Sequence, residues 1–260
     1  MHEPDLERRF SGLRRLYGDA GYARLRAARV AVVGLGGVGS WAAEALARSG
    51  VAALTLIDLD HVSESNINRQ VQAMGATLGQ AKAIALRERV LDIHPECVVH
   101  AIEEFVNEDN WPALLTSPID MLIDACDQVR AKTAMAAWAL ASDTPFVSVG
   151  AAGGKQRAQA VEVDDIALAT HDPLLASMRQ RLRKSHGAAR SGAIGVACVF
   201  SRESVTAPSD ECDIDGSLNC HGYGSSVAVT ATFGMVAASV AIEALLRRVA
   251  TPRATEKSTL

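Results

Sequence analysis

Apolar residues fall along this chain in two rhythms. Short β-branched runs occur at Val30 to Val33, Ala53 to Ile57, Ile119 to Ile123 and Phe146 to Val149. Between them lie stretches of good helix formers, Ser40 to Arg48, Gly79 to Leu91 and Val129 to Ala141. In the second of these, Ala83, Leu86 and Val90 share one face at helical spacing. Strands of this length alternating with helices predict an α/β fold: a twisted, mostly parallel, Rossmann-like sheet with helices on both faces. Cys97 to Ile102 and Ala158 to Val163 alternate apolar with polar, as half-buried strands do. Near residue 150 the regular rhythm breaks.

The predicted layout follows from that break. Residues 1–28 form an arginine-bearing helical arm and residues 29–150 the nucleotide-binding core. Residues 151–250 extend the same domain as a smaller substrate and dimerisation region, and 251–260 are a tail. Val227 to Leu246 is apolar enough for a hydropathy scan to flag it as membrane-spanning. Thr230, Thr232 and Glu243 interrupt it, and its N-terminal side lacks a charged flank. It reads as a buried helix at the core or at a dimer interface, and no stable membrane association is expected.

The chemistry starts where the first strand ends. Gly34, Gly36 and Gly39 fit G-x-G-x-x-G between a strand and a helix, with Gly37 inside the turn. The first glycine allows a tight turn, the second lets a phosphate approach the backbone, and the third lets the helix pack on the strand. Amide groups at the helix start then face an anion. Asp58 ends the second strand, about 20 residues on, where an acid bonds ribose hydroxyls. Arg69 and Lys82 come next, a planar fork and a point charge, both suited to phosphate, although each alone reads as a solvated surface charge until a family resemblance is added. A nicotinamide or flavin enzyme has no need of them, whereas a triphosphate attacked at its α-phosphorus does. Lys82 in a helix's first turn opposes the helix dipole, a local cost that points to a ligand phosphate. Ile119 to Ile123 runs into Asp124-Ala125-Cys126-Asp127. Carboxylates at strand C-termini face the ligand crevice, so Asp127 is the Mg²⁺ candidate, with helix N-capping as its other reading. The glycine-rich turn Gly150-Ala151-Ala152-Gly153-Gly154 faces the same crevice if the sheet order is regular.

Taken together, these residues resemble the ubiquitin-activating-enzyme-like superfamily that contains the adenylyltransferases MoeB and ThiF. The matching set is Gly34-x-Gly36-Gly37-x-Gly39, Asp58, Ser65-Asn66-x-x-Arg69-Gln70, Lys82 and Asp124-Ala125-Cys126-Asp127. Within it the chain resembles the tRNA threonylcarbamoyladenosine dehydratase branch over nearly its whole length. The branch motifs are Arg9-Phe10, Arg15-Leu16-Tyr17-Gly18, Val38 to Ala47, Gly195-Val196-x-Cys198-Val199-Phe200-Ser201 and Val229 to Gly234. The resemblance implies a homodimer using ATP and Mg²⁺ to adenylylate a carboxylate. Asn66 joins the nucleotide-binding set, and an N-terminal arginine enters the partner's site. Arg15 is the choice from its context, with Arg14 a near neighbour. The branch implies tRNA as substrate, ring closure of threonylcarbamoyladenosine with loss of water, and no protein nucleophile. In this family a cysteine desulfurase or sulfur-acceptor system is a partner in some organisms.

Composition trims the alternatives. A net charge of −4 argues against indiscriminate nucleic-acid binding, though not against a local basic patch. Met178 to Arg190 supplies one, with Arg179, Arg181, Arg183, Lys184 and Arg190 and no acid between them. It reads as a solvated or disordered run or as an RNA contact. The five cysteines contain no C-x-x-C pair, which argues against a MoeB-like enzyme acting on a ubiquitin-like carrier, since those relatives carry paired zinc cysteines. Cys220, beside His221, is a nucleophile or redox candidate, whereas Cys198 reads as core. A catalytically silent nucleotide-binding or redox scaffold is the reading from another class. The polar N-terminus has no signal-peptide core, and a cytoplasmic location is expected.

Overall fold

The structure is a computed structural model that describes residues 3–205 and 223–247. Its centre is a seven-stranded sheet with order β3-β2-β1-β4-β5-β7-β6. The strands are β1 (Arg29–Val33), β2 (Ala53–Ile57), β3 (Val98–Ile102), β4 (Met121–Asp124), β5 (Phe146–Val149), β6 (Val161–Asp165) and β7 (Ala197–Ser201). All pairings are parallel except β6 against β7. The strand order therefore turns back between β1 and β4, which leaves a crevice at their C-terminal ends.

Helices α1 (Leu6–Ala27), α2 (Gly39–Arg48), α3 (Lys82–Ile93) and α6 (Val227–Arg247) cover one face. Helices α4 (Val129–Ser142) and α5 (Pro173–Ser185) cover the other. The alternation of the pleat divides each strand between the two layers. Val30 and Val32 pack with Leu46, Val229 and Phe233, while Ala31 and Val33 pack with Leu122 and Met135. α6 is long and apolar enough to cross a membrane, yet its Val229, Phe233, Ala237 and Ala241 are buried against the sheet and α2. It is the core helix that its interrupting polar residues predict.

Several boundaries differ from the sequence reading, β3 starting at Val98 and β4 running Met121–Asp124 among them. Residues 79–81 are not helical: Gly79 has φ +81° and Ala81 is extended, so α3 begins at Lys82 itself. Residues 158–160 form a 3₁₀ turn, and β6 starts only at Val161. Half of the basic run is neither loop nor disordered. Asp172 accepts from the Leu175 N–H at 2.9 Å, Pro173 occupies the first turn, and α5 runs to Ser185. The run continuing past β5 into β7 and β6 belongs to the same sheet, with an antiparallel edge as expected.

Candidate active site

The registers bring the site together. Val33 pairs with both Ile57 and Asp124, so β1, β2 and β4 end level with one another. The chain leaves β1 through Gly34 at φ +83°, where a Cβ would lie 2.8 Å from the Ala125 carbonyl. A Cβ on Gly39 would fall 1.8 Å from the Gly34 oxygen, so only glycine lets α2 close on the strand. A Cβ on Gly36 would meet nothing within 4 Å among the described residues. That open backbone at the start of α2 is the face offered to an anion.

Asp58 sits just beyond β2 and grips this turn from the side. Its Oδ2 accepts from the Leu35 N–H at 2.6 Å, and its Oδ1 accepts from the Asp60 N–H at 2.8 Å. Burial raises its pKa, opposed by the Lys82 charge and these two hydrogen bonds. Lys82, buried to 8% side-chain exposure, donates to Asp60 Oδ2 at 2.7 Å, while Asp60 remains 54% exposed. Arg69 leans on the other side of the turn, its Cγ within 3.2 Å of where a Gly37 Cβ would stand. Its guanidinium donates to the Ser65 carbonyl and to Asn68 Oδ1. Asn66 is buried, and its Oδ1 accepts from the Ser63 N–H at 3.1 Å, so it shapes the loop that carries Arg69. Trp41 donates to the Arg69 carbonyl and Gln72 donates to the Leu35 carbonyl. Neither Trp41 nor Gln72 stood out in the sequence, because each acts through a backbone oxygen far along the chain.

Asp127 lies past the end of β4 and is exposed. It is not the N-cap: Gln128 occupies that position, and no side chain caps α4. Its exposed carboxylate, just past the end of β4, is of the kind Mg²⁺ takes, one or two together with phosphate oxygens. No cluster of three metal-ligating side chains exists among the described residues. Beneath it, Asp124 and Lys132 form a fully buried ion pair at 2.9 Å. Ser148 donates to Asp124 Oδ2, and Lys132 also donates to the carbonyls of Cys126 and Val149. This network ties the Asp127 loop to the end of β5.

The N-terminal arginines separate clearly. Arg14 is bound within its own arm by Glu7 and Asp19 and stacks over Tyr22. Arg15 is exposed, and among the described residues no ion pair holds it. Arg179 donates to the Ile166 and Ala169 carbonyls, and Arg183 donates to that of Ala189. Arg181, Lys184 and Arg190 face solvent. Cys198 is fully buried and its thiol pKa is raised by that burial, as it is for Cys126. Neither is a nucleophile at neutral pH. Cys220 and its loop lie outside the described residues.

A glycine turn, an acid on its flank, Arg69 against the turn, Lys82 at the start of α3 and an exposed carboxylate past β4 are the groups that a nucleotide's ribose and phosphates would need. The model of the ThiF family matches residues 8–259. The chain belongs to this family. It is 40% identical to the tRNA threonylcarbamoyladenosine dehydratase of Escherichia coli K12, over 93% of this chain and 95% of that protein. It is 39% identical to the Haemophilus influenzae enzyme of the same name, over the same shares. The crystal structure of the E. coli dehydratase, TcdA, in complex with ATP superposes with a TM-score of 0.85 and 40% identity, covering 94% of this chain and 97% of that one. Within the ThiF family, the chain therefore belongs with the threonylcarbamoyladenosine dehydratases.

Proposed function

We propose that the chain uses ATP to activate the carboxylate of threonylcarbamoyladenosine in the tRNA anticodon loop and to close it into a ring. One observation carries this reading. Gly36 lies open at the start of α2, with Arg69 against the same turn and Lys82 paired with a half-solvated Asp60, in a chain that matches the E. coli dehydratase over 93% of its length.

The open backbone at Gly36 and the start of α2 receive the phosphates, and Asp58 bonds the ribose. Arg69 and Lys82 carry the charge that grows on the phosphates as the carboxylate oxygen attacks the α-phosphorus. Lys82 can turn to a phosphate because Asp60 is a half-solvated partner. Asp127 would hold Mg²⁺, whose charge offsets that of the phosphates. Arg15 of a second copy completes the site; Arg14 is already bound within its own arm. Pyrophosphate leaves first. The carbamoyl group then attacks the activated carbonyl carbon and AMP leaves with one carboxylate oxygen, so the nucleoside loses one water in all. No cysteine is needed, in keeping with the buried thiols. The outer face of α5, with Arg181 and Lys184, and Arg190 beyond it, supplies phosphate-backbone contacts for the RNA. A tRNA-modifying enzyme of this kind works in the cytoplasm.

The test is purified protein with Mg-ATP and tRNA bearing threonylcarbamoyladenosine, with nucleosides read by mass spectrometry. Loss of one water that needs ATP, and that disappears in Asp127→Ala and Lys82→Ala, is the expected result. An unchanged nucleoside from a protein that still binds ATP would overturn the reading. An adenylyltransferase acting on a ubiquitin-like carrier would then replace it.

A further inference from the structure

The nucleotide occupies the crevice between β1 and β4, and the next strand ends outward belong to β5 and β7. The turn 150–154 follows β5 and is pinned on every side. The Gly150 N–H donates to the Val199 carbonyl, the Ala151 N–H to Asp172 Oδ2, and the Gly154 N–H to the Gly224 carbonyl. Gly150 is obligatory, since a Cβ there would lie 2.1 Å from Asp172 Oδ2. Lys132 holds the entry to the turn through the Val149 carbonyl.

Lys155 holds its exit. The side chain is 3% exposed. Its ammonium donates to the carbonyls of His171 and Ser201 at 3.3 Å each, and to that of Glu203. An ammonium has three donors, and here three backbone oxygens from two separate segments take them all. Glu203 answers in the opposite direction, accepting from the N–H groups of Gln156 and Arg157. Burial lowers the Lys155 pKa, against the charges of Asp172 and Glu203. An ammonium buried at that cost is held by the three carbonyls that accept from it.

We infer that Lys155 is a positioning residue for the carboxylate-bearing substrate. Its ammonium clamps the chain leaving the turn 150–154 to the C-terminal end of β7, and so fixes the end of β5, which lies next to β4 and its crevice. The inference rests on the proposed dehydratase reading. It separates two walls of one site: the nucleotide wall depends on Gly36, Arg69 and Lys82, and the substrate wall on Lys155.

The test compares wild-type protein with Lys155→Met and Lys155→Gln, using threonylcarbamoyladenosine-bearing tRNA and Mg-ATP. Small misplacement of a reacting group costs about 100-fold, so Lys155→Met should lose about that factor in kcat/KM for tRNA. Its Kd for ATP should stay within about twofold of wild type, since none of the nucleotide wall has moved. Lys155→Gln, which keeps an N–H donor, should fall between the two. Methylammonium should restore part of the activity of Lys155→Ala, whose truncated side chain leaves space for it, and tetramethylammonium, which has no N–H, should not. Wild-type kinetics in Lys155→Met would overturn the inference alone. A parallel loss of ATP affinity in both variants would also overturn it, by making Lys155 a general support of the fold. Wild-type protein that leaves the nucleoside unchanged would remove the dehydratase reading, and this inference with it.

Discussion

Lys82 and Lys132 are the same side chain, each paired with an aspartate beside the same crevice, in opposite settings. Lys82 stands at the lip with a partner that is half in water. Lys132 lies beneath, with both members of its pair at 0% exposure and three further hydrogen bonds closing the network. An ammonium with a solvated partner can exchange it for a phosphate. One whose every donor is taken cannot, and it serves as framework. Charge alone does not mark a catalytic lysine; the exposure of its partner does.

Removing the buried lysine should have the largest effect. Lys132→Met strands the Asp124 charge in the core, and a loss of about 3–5 kcal/mol is expected from a half-broken buried pair. Urea unfolding measures it, and Asp124→Leu added to Lys132→Met should recover much of the loss. Lys82→Ala should do the reverse. Loss of one charge-stabilising donor lowers kcat by about 10²–10³, while the pair it breaks leaves behind an aspartate that is half in water, so its stability cost should be the smaller of the two. Equal stability losses in the two variants would erase the contrast.

His94 shows a third way to bury a cationic group, by giving up the charge. It is 1% exposed, and burial together with Arg26 and Arg9 holds its pKa down to about 4. Its Nε2 accepts from Arg26 at 2.7 Å, which requires the neutral ring. Because the folded pKa is depressed below the 6.5 of the unfolded chain, the contribution is complete above pH 6.5 and is lost as pH falls towards 4. Between pH 7 and pH 5 the fold should lose about 2 kcal/mol through this group, seen as a lower urea midpoint, and His94→Leu should flatten that dependence. Asp60→Asn should have the smallest effect on stability, since the amide oxygen still accepts from the buried Lys82, while loosening Lys82 to meet phosphate and tightening ATP binding in titration calorimetry.

Much of this was legible in the chain. Gly34 and Gly39 were legible because each answers a local backbone demand, and β2 and β5 carry the bounds their apolar runs set. The Asp172-Pro173 pair was an available helix-start signal, masked by the basic run that follows it. Lys132 and Lys155 had no signal of their own. A lysine in a helix or after a glycine turn looks solvated until the sheet brings distant carbonyls around it, those of Ser201 and Glu203 for Lys155. That Arg14 is bound by Glu7 and Asp19 within its own arm likewise shows only in the folded chain.

The most direct measurement follows one oxygen. Threonylcarbamoyladenosine-bearing tRNA labelled with ¹⁸O in its carboxylate is turned over with Mg-ATP, and the nucleotide products are weighed. Adenylylation places one labelled oxygen in AMP. Label appearing in inorganic phosphate beside ADP, or retained in full by the cyclised nucleoside, would contradict it.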